Sequence, residues 1–399
     1  MERKSTTFER MESKGGLKIL HIASWYPSKV HGSLGNFIQR HVSAISTLNS
    51  CELWYASPVS NESPLLGESE VVDNEGFLER ITYPRATKPG VRAVTRALLN
   101  LEPGEDMRDP DIVHLHVTFP AGRAARILSE KWGVPLVVTE HWTAYHDAQY
   151  IPLWRRIAMR RTAARTSVFA PVTDQLGGKM REFKMQNSSS SAVYKTIPNV
   201  VNTEQFQISS VARQRDDPIK ILHVSSLDES QKNITGILHT LAAIRTSNPD
   251  FNFSAKFIGG GDPERLQKVR SYAGSLNLTS PFILFSGPKE SNEVAEAMKE
   301  ADVVLLFSRK ENFPCVIAEA WASGTPVITT DVGGISEHMD ESRGMLVNSG
   351  DEHGLAKAIL SVDREWSADG IRKYAVDNFS VKAVAEAYDE AYRIALKES

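Results

Sequence analysis

Cysteine is almost missing from this chain: two in 399 residues, Cys51 and Cys315, too far apart in sequence to suggest a disulfide framework. A reducing, cytoplasmic compartment is therefore expected. Charge of one sign is lacking too. The 46 Lys and Arg face 49 Asp and Glu, so the chain as a whole carries no electrostatic footprint for nucleic acid. The imbalance is internal, with a net +5 over residues 1–200 and −8 over residues 201–399. No apolar run approaches the ~18 residues needed to span a bilayer. Residues 1–16 are charged, end in glycines and lack an apolar centre, so they read as a disordered leader, not a secretion signal. No Asp-x-Asp pair is read as a Mg²⁺ site. His114 and His116 are read as cleft lining or core, not as metal ligands. No metal and no cofactor is expected.

What is present is alternation. Strand-like runs at 17–22, 112–116, 136–139 and 167–172 alternate with helical runs such as 122–132 and 154–166. A second series begins at 219–224 and continues at 253–258, 283–285 and 303–307. Strands alternating with helices predict α/β domains with parallel sheets. At ~150 residues per domain, 399 residues make about two. The polar stretches 187–191 and 213–218, with 197–202 between them, put the boundary near residue 200. The domains are 17–200 and 201–380, with a final helix over 381–396.

Residues 308–337 concentrate the chemistry. Glu319 lies within an apolar helical run, Cys315 to Ala322, where a carboxylate would be expelled unless something polar is held there or a neighbouring backbone group satisfies it. Asn312, Phe313 and Pro314 form a loop into that helix, with Pro314 near its first turn. Gly324 fits just past its end. The apolar strand 327–329 and the turn Gly333-Gly334 follow, then Glu337. Glu311, Glu319 and the glycine turn would meet where strand carboxyl ends line a ligand crevice.

Other residues sit at comparable strand ends. Gly32 and Gly35 precede a helix, where bare backbone N–H groups can approach a phosphate. Ser226, Lys232 and Asn233 follow the first strand of the second series. Gly259-Gly260-Gly261-Asp262 makes a strand-to-helix turn. Arg309 and Lys310 precede Glu311. His141 ends the strand at 136–139. Arg155, Arg156, Arg160, Arg161 and Arg165 give either a solvated helix face or a contact with anionic lipid. Ile157 and Met159 do not form an apolar insertion stripe among them.

The ordered set Glu311, Glu319, Gly324-Thr325-Pro326-Val327 and Gly333-Gly334-Ile335-Ser336-Glu337 resembles the donor-sugar site of retaining family 4 glycosyltransferases. Pro198-Asn199 is similar to the Pro-Asn-Gly-Val-Asp element that opens the family's second domain, although Val200 and Asn202 depart from it. The resemblance covers nearly the whole chain after the leader. It implies the GT-B fold: two Rossmann-like domains facing across a cleft, with the final helix crossing back to the first. It implies metal-independent transfer from a nucleoside-diphosphate sugar, UDP- or GDP-linked, to a glycan, lipid-linked or small-molecule acceptor, with peripheral contact at the inner membrane face. By the same resemblance, Glu319 binds ribose hydroxyls, Glu311 and His141 contact the sugar, and Lys232 balances the diphosphate. Asn233, Asn312, Phe313, Pro314, Gly35 and Gly260 border the donor. Ser226 replaces the family's arginine, a loss that Arg309 or Lys310 would make good. The rival readings are a GT-B phosphorylase or epimerase, and a sugar-nucleotide-binding protein without catalysis.

Overall fold

The computed structural model describes residues 16–74, 76–87, 90–186, 192–210, 217–260, 262–362 and 366–397. Most of the leader, residues 187–191, most of 213–218 and Gly261 lie outside the described residues. The chain divides into two compact units, one of residues 1–200 with 381–399 and one of residues 201–380.

The first unit contains β1 (Lys18–Ala23), α1 (Asn36–Ile45), β2 (Ser50–Ala56), β3 (Ser69–Asn74), β4 (Phe77–Thr82), α2 (Val91–Leu99) and β5 (Ile112–His116). It continues through α3 (Gly122–Trp132), β6 (Leu136–Glu140), α4 (Leu153–Ala163), β7 (Thr166–Pro171), α5 (Asp174–Glu182) and β8 (Val193–Tyr194). The second unit contains β9 (Ile219–Ser225), α6 (Glu229–Lys232), α7 (Ile234–Ser247), β10 (Phe253–Gly259), α8 (Pro263–Ser275), β11 (Ile283–Gly287) and α9 (Ser291–Glu300). After these come β12 (Val303–Leu306), α10 (Cys315–Ala322), β13 (Val327–Thr330), β14 (Gly344–Val347), α11 (Glu352–Leu360) and α12 (Ala368–Phe379). The last helix, α13 (Val381–Lys397), belongs to the first unit.

The second sheet runs β11-β10-β9-β12-β13-β14, with every pairing parallel. Counted from β9, this is the 3-2-1-4-5-6 order of a dinucleotide-binding α/β fold. The first sheet runs β3-β4-β2-β1-β5-β6-β7-β8, parallel except for the β3–β4 pair. Central strands buried on both faces need continuous apolar runs. All five residues of β5 and of β6 are buried, as are all four of β12 and of β13. Each unit has an apolar core on both faces of its sheet. Helix α13 joins the first unit because its stripe of Val384, Tyr388, Ala391, Tyr392 and Ala395 is buried in that core. Among the described residues no helix is long and apolar enough to cross a membrane.

Candidate functional site

In the second sheet, β9 and β12 are neighbours although the chain visits β10 and β11 between them. Connections leave such a switch point toward opposite faces, and a crevice opens outside the strand carboxyl ends. The two loops there are 226–233 and 307–314. Asp228 caps the short helix α6 by accepting from Gln231 N at 3.2 Å. At the end of α6, Lys232 Nζ pairs with Glu311 Oε1, with side chains only 12% and 7% exposed. Charges this withdrawn from water stand because each offsets the other's desolvation. The loop backbones are laced by Arg309 N donating to Gln231 O (2.7 Å) and Gln231 Nε2 donating to Lys310 O (3.3 Å).

Arg309 is engaged within this lacing. Its guanidinium donates to Asn233 Oδ1 and to Glu229 Oε1. Asn233 is buried and holds the left-handed φ of 51° that joins α6 to α7. Gly333 has a φ of 62°, and a Cβ there would lie 2.1 Å from Glu311 O. Gly334 N donates to Asn312 O at 2.9 Å. The glycine turn after β13 therefore presses directly on the Glu311–Asn312 backbone. Glu319 lies on α10 at 7% exposure, and Pro314 immediately precedes that helix. The Phe313 ring is turned inward against His338 (4.8 Å between centroids) and Phe379 (5.2 Å), so its side chain belongs to the core. Cys51 is buried, and Cys315 is half-buried at the start of α10.

Gly259 and Gly260 bring the β10 turn against the β9 loop. A Cβ at Gly259 would lie 1.7 Å from Ser225 O, and one at Gly260 would lie 2.8 Å from Leu227 Cδ1. Ser226 is exposed. Its carbonyl accepts from Arg265 (3.2 Å), and the same guanidinium pairs with Asp228 at 3.2 Å. Sequence reading missed Arg265, which stands 39 positions beyond Ser226 on α8. The glycine-rich turn ahead of that helix was the only signal. His223 was missed as well. A carbonyl only accepts, so its Nδ1–H donates to Leu305 O (2.8 Å) and its Nε2 accepts from Ser225 Oγ (2.7 Å). Burial lowers its pKa to about 4. Neutral His223 thus ties the start of the β9 loop to β12.

In the first unit the corresponding switch point lies between β1 and β5. The hub there is Glu140, a buried carboxylate not among the sequence candidates. It accepts from Thr118 N (3.1 Å), Thr118 Oγ1 (2.7 Å), His141 N (3.0 Å), Trp142 N (3.1 Å) and Tyr145 OH (3.0 Å). Burial pushes its pKa up. These bonds hold the loops after β5 and β6 together and fix His141. The His141 ring lies 4.3 Å from Phe37 and 5.2 Å from His41, and burial followed by the charge of His41 holds its pKa well below 6.5. Gly35, at φ 71°, packs on the β1 loop, where a Cβ would fall 2.7 Å from Trp25 O. Gly32 faces open space, so geometry demands glycine only at 35.

His21, His41, His114 and His116 are fully buried. His21 Nδ1 and His116 Nε2 are 3.0 Å apart, and His41 bonds to Pro198 O at 3.1 Å. Ring nitrogens of His21, His114 and His116 lie within 4.8 Å of one another. Both nitrogens of His114 are engaged, with Tyr392 OH and Thr139 Oγ1 (each 2.8 Å), so a metal there would have to break one of these bonds.

Packing divides the basic run. Arg155 stacks on Phe119 (4.8 Å), and Arg156 and Arg160 stack on Phe183 (5.3 and 5.4 Å). Arg165 donates to Val134 O at 3.4 Å. Guanidinium planes favour aromatic faces, so these arginines do not form one solvated face. The chain also contains one Asp-x-Asp triplet, Asp109-Pro110-Asp111. It precedes β5 at the amino edge of the sheet, where Asp111 accepts from Lys18 N at 2.7 Å, and so lies away from the strand carboxyl ends.

Two Rossmann-like α/β domains with parallel sheets and polar loops at the strand carboxyl ends define the GT-B class. Sucrose-phosphate synthase of Thermosynechococcus elongatus superposes with a TM-score of 0.75 at 19% identity, over 96% of this chain and 100% of that one. Anabaena HepE in complex with UDP superposes at 0.70 and 16% identity, over 94% and 100%. At such identities the likeness is one of fold. Residues 218–364 match the model of glycosyl transferases group 1, and residues 60–189 that of the glycosyl transferase 4-like domain. The chain belongs to this glycosyltransferase family. TuaC of Bacillus subtilis, a glycosyltransferase named for teichuronic acid biosynthesis, is 24% identical over 96% of this chain and all of that protein. The D-inositol 3-phosphate glycosyltransferase of Acidothermus cellulolyticus is 28% identical over 67% of this chain and 62% of that relative, so the chain spans under two thirds of its length.

Proposed function

We propose that this glycosyltransferase takes a sugar from a nucleoside-diphosphate donor and passes it to a glycan acceptor with retention of configuration and without a metal ion. The observation that carries this reading is the Lys232–Glu311 pair at the β9/β12 switch point. The UDP bound to a protein of the same fold and the teichuronic acid name of a relative support the donor and acceptor classes. Lys232 would lose Glu311 as its partner and gain the diphosphate. Its charge then matters most when negative charge grows on the leaving group. Glu311, released, would face the transferred sugar. Glu319 would accept from ribose hydroxyls. His141, neutral and fixed by Glu140, would hydrogen-bond the sugar.

The arginine replaced by Ser226 has a substitute in Arg265, whose guanidinium already stands on the Ser226 carbonyl. Arg309 holds the two loops together instead. The test is thermal shift with UDP, GDP and ADP in EDTA, followed by transfer assays on Lys232→Ala. Nucleotide stabilisation that survives EDTA, with transfer lost in the variant, is expected. An absolute requirement for Mg²⁺ or Mn²⁺ would overturn the metal-free reading. Donor binding with no transfer and no donor hydrolysis would favour a non-catalytic binder.

A further inference from the structure

Among the histidines gathered in the first unit, two keep a ring nitrogen that the fold does not use. His41 stands on α1, His116 ends β5 and His141 follows β6, so three separate elements bring them together. His41 Nε2 faces the carbonyl of Pro198 at 3.1 Å. A carbonyl only accepts, so Nε2 carries the proton and Nδ1 the lone pair. His116 Nε2 lies 3.0 Å from His21 Nδ1. The opposite nitrogens, His41 Nδ1 and His116 Nδ1, are buried without a hydrogen-bond partner among the described residues. Buried polar atoms are almost always satisfied, so two bare ones in one place need an explanation. One ring nitrogen from each of His41, His116 and His141 lies within 4.8 Å of the other two.

This is the arrangement a metal ion uses. A ligating histidine almost always donates its other N–H to a carbonyl or a second acceptor, which fixes the tautomer. Pro198 O already does this for His41, and His21 Nδ1 can do it for His116. The triad differs here from the neighbouring set that includes His114, where a bond would have to break. Burial is the main cause that lowers the pKa of all three rings, so each is a neutral ligand at pH 7. Imidazoles with no carboxylate among them suit Zn²⁺ and not Mg²⁺. Tetrahedral zinc with Zn–N of ~2.0–2.1 Å holds its nitrogens ~3.4 Å apart. Binding would therefore contract the triad, and His141, half-buried and beyond the end of its strand, is the ring to move. Its exposure also leaves a fourth position for water.

We propose that the first unit binds one Zn²⁺ through His41 Nδ1, His116 Nδ1 and His141. The ion has no part in transfer. It occupies His141, the ring assigned above to the sugar, and so represses transfer, a consequence that rests on that reading.

The test is titration of the untagged, EDTA-stripped full chain with Zn²⁺ against a chromophoric chelator. One equivalent should bind and stay through gel filtration. Zinc-edge X-ray absorption, which needs no variant, should report nitrogen neighbours at ~2.0–2.1 Å. His41→Gln and His116→Gln should each weaken binding by about a hundredfold or more, since losing even an outer partner of a ligand costs ~10–100-fold. His141→Gln should do the same without altering a fully buried ring. His239→Gln, an exposed histidine of the second unit, should change nothing. Melting temperature in EDTA, read on every variant, separates loss of the site from loss of the fold. No retained zinc in the parent, a sulfur neighbour at ~2.3 Å, or folded variants that bind like the parent overturn the proposal. Zinc held by the triad with transfer undiminished supports the site and removes His141 from the chemistry, so the two readings fail separately.

Discussion

Lowering the pH from about 7.5 to about 5.5 should unfold the first unit selectively. His21, His41, His114 and His116 are fully buried, and burial is the leading cause that lowers each of their pKa values below 6.5, to about 3 for His21 and about 4 for His41. The unfolded chain, with histidines near 6.5, takes up these protons first as pH falls. The folded state is therefore fully stable above about pH 6.5 and loses stability on the way down toward pH 4. Each group contributes about 1.3 kcal/mol of loss over that step, so four contribute about 5 kcal/mol, comparable with the whole stability of a domain. Glu140 acts in the opposite sense, since its raised pKa favours the folded state as pH falls, but it is one group against four. The assay is urea unfolding followed by tryptophan fluorescence, to which Trp25, Trp54, Trp132, Trp142 and Trp154 of the first unit contribute five of seven indoles. At a slope of ~2–3 kcal/mol per M, the midpoint should fall by about 2 M. His41→Gln should remove one histidine's share of that dependence. A midpoint that moves by less than about 0.5 M would refute the claim that these rings are carried neutral in the fold.

Further outcomes concern the second unit. Lys232→Ala leaves Glu311 nearly buried without its partner, so it should cost about 3 kcal/mol of stability, and it should lower kcat by about a hundredfold in a transfer assay. Restoration of stability by adding Glu311→Gln, with transfer still lost, separates the two effects, and an unchanged melting temperature in Lys232→Ala would contradict the pairing. Arg265→Ala should weaken nucleotide affinity about tenfold by isothermal titration, the loss of one charge-assisted hydrogen bond, and normal affinity would leave Ser226 without a substitute. Glu319→Gln should weaken nucleotide affinity by a similar factor with little change in fold. Gly333→Ala must move the Glu311 backbone, since its Cβ would fall 2.1 Å from Glu311 O, so nucleotide-induced stabilisation should vanish, and full retention would mean the turn is free to shift.

Much of the fold was legible in the chain because short runs rich in Ile, Val, Leu and Phe alternate with helical stretches, and the runs read as strands at β1, β5, β6, β9, β10 and β12 are strands. The local structure around Glu311, Glu319, Gly324 and Gly333 was legible because these residues are close in sequence, and local spacing fixes a loop, a helix, its end and a turn. Strand order was not legible. That β9 lies beside β12, bringing Lys232 to Glu311, depends on crossovers whose direction no local pattern encodes. Arg265 on Ser226 is a contact of the same kind. Glu140 was hidden because its role comes from five donors supplied by two loops. The arginines of α4 show the converse: sequence shows their charge, but only packing turns Arg155, Arg156 and Arg160 onto aromatic rings and leaves Leu153, Trp154 and Ile157 facing out. Local residue chemistry determined the elements and the motif, while long-range packing decided which charges met and which face stayed bare.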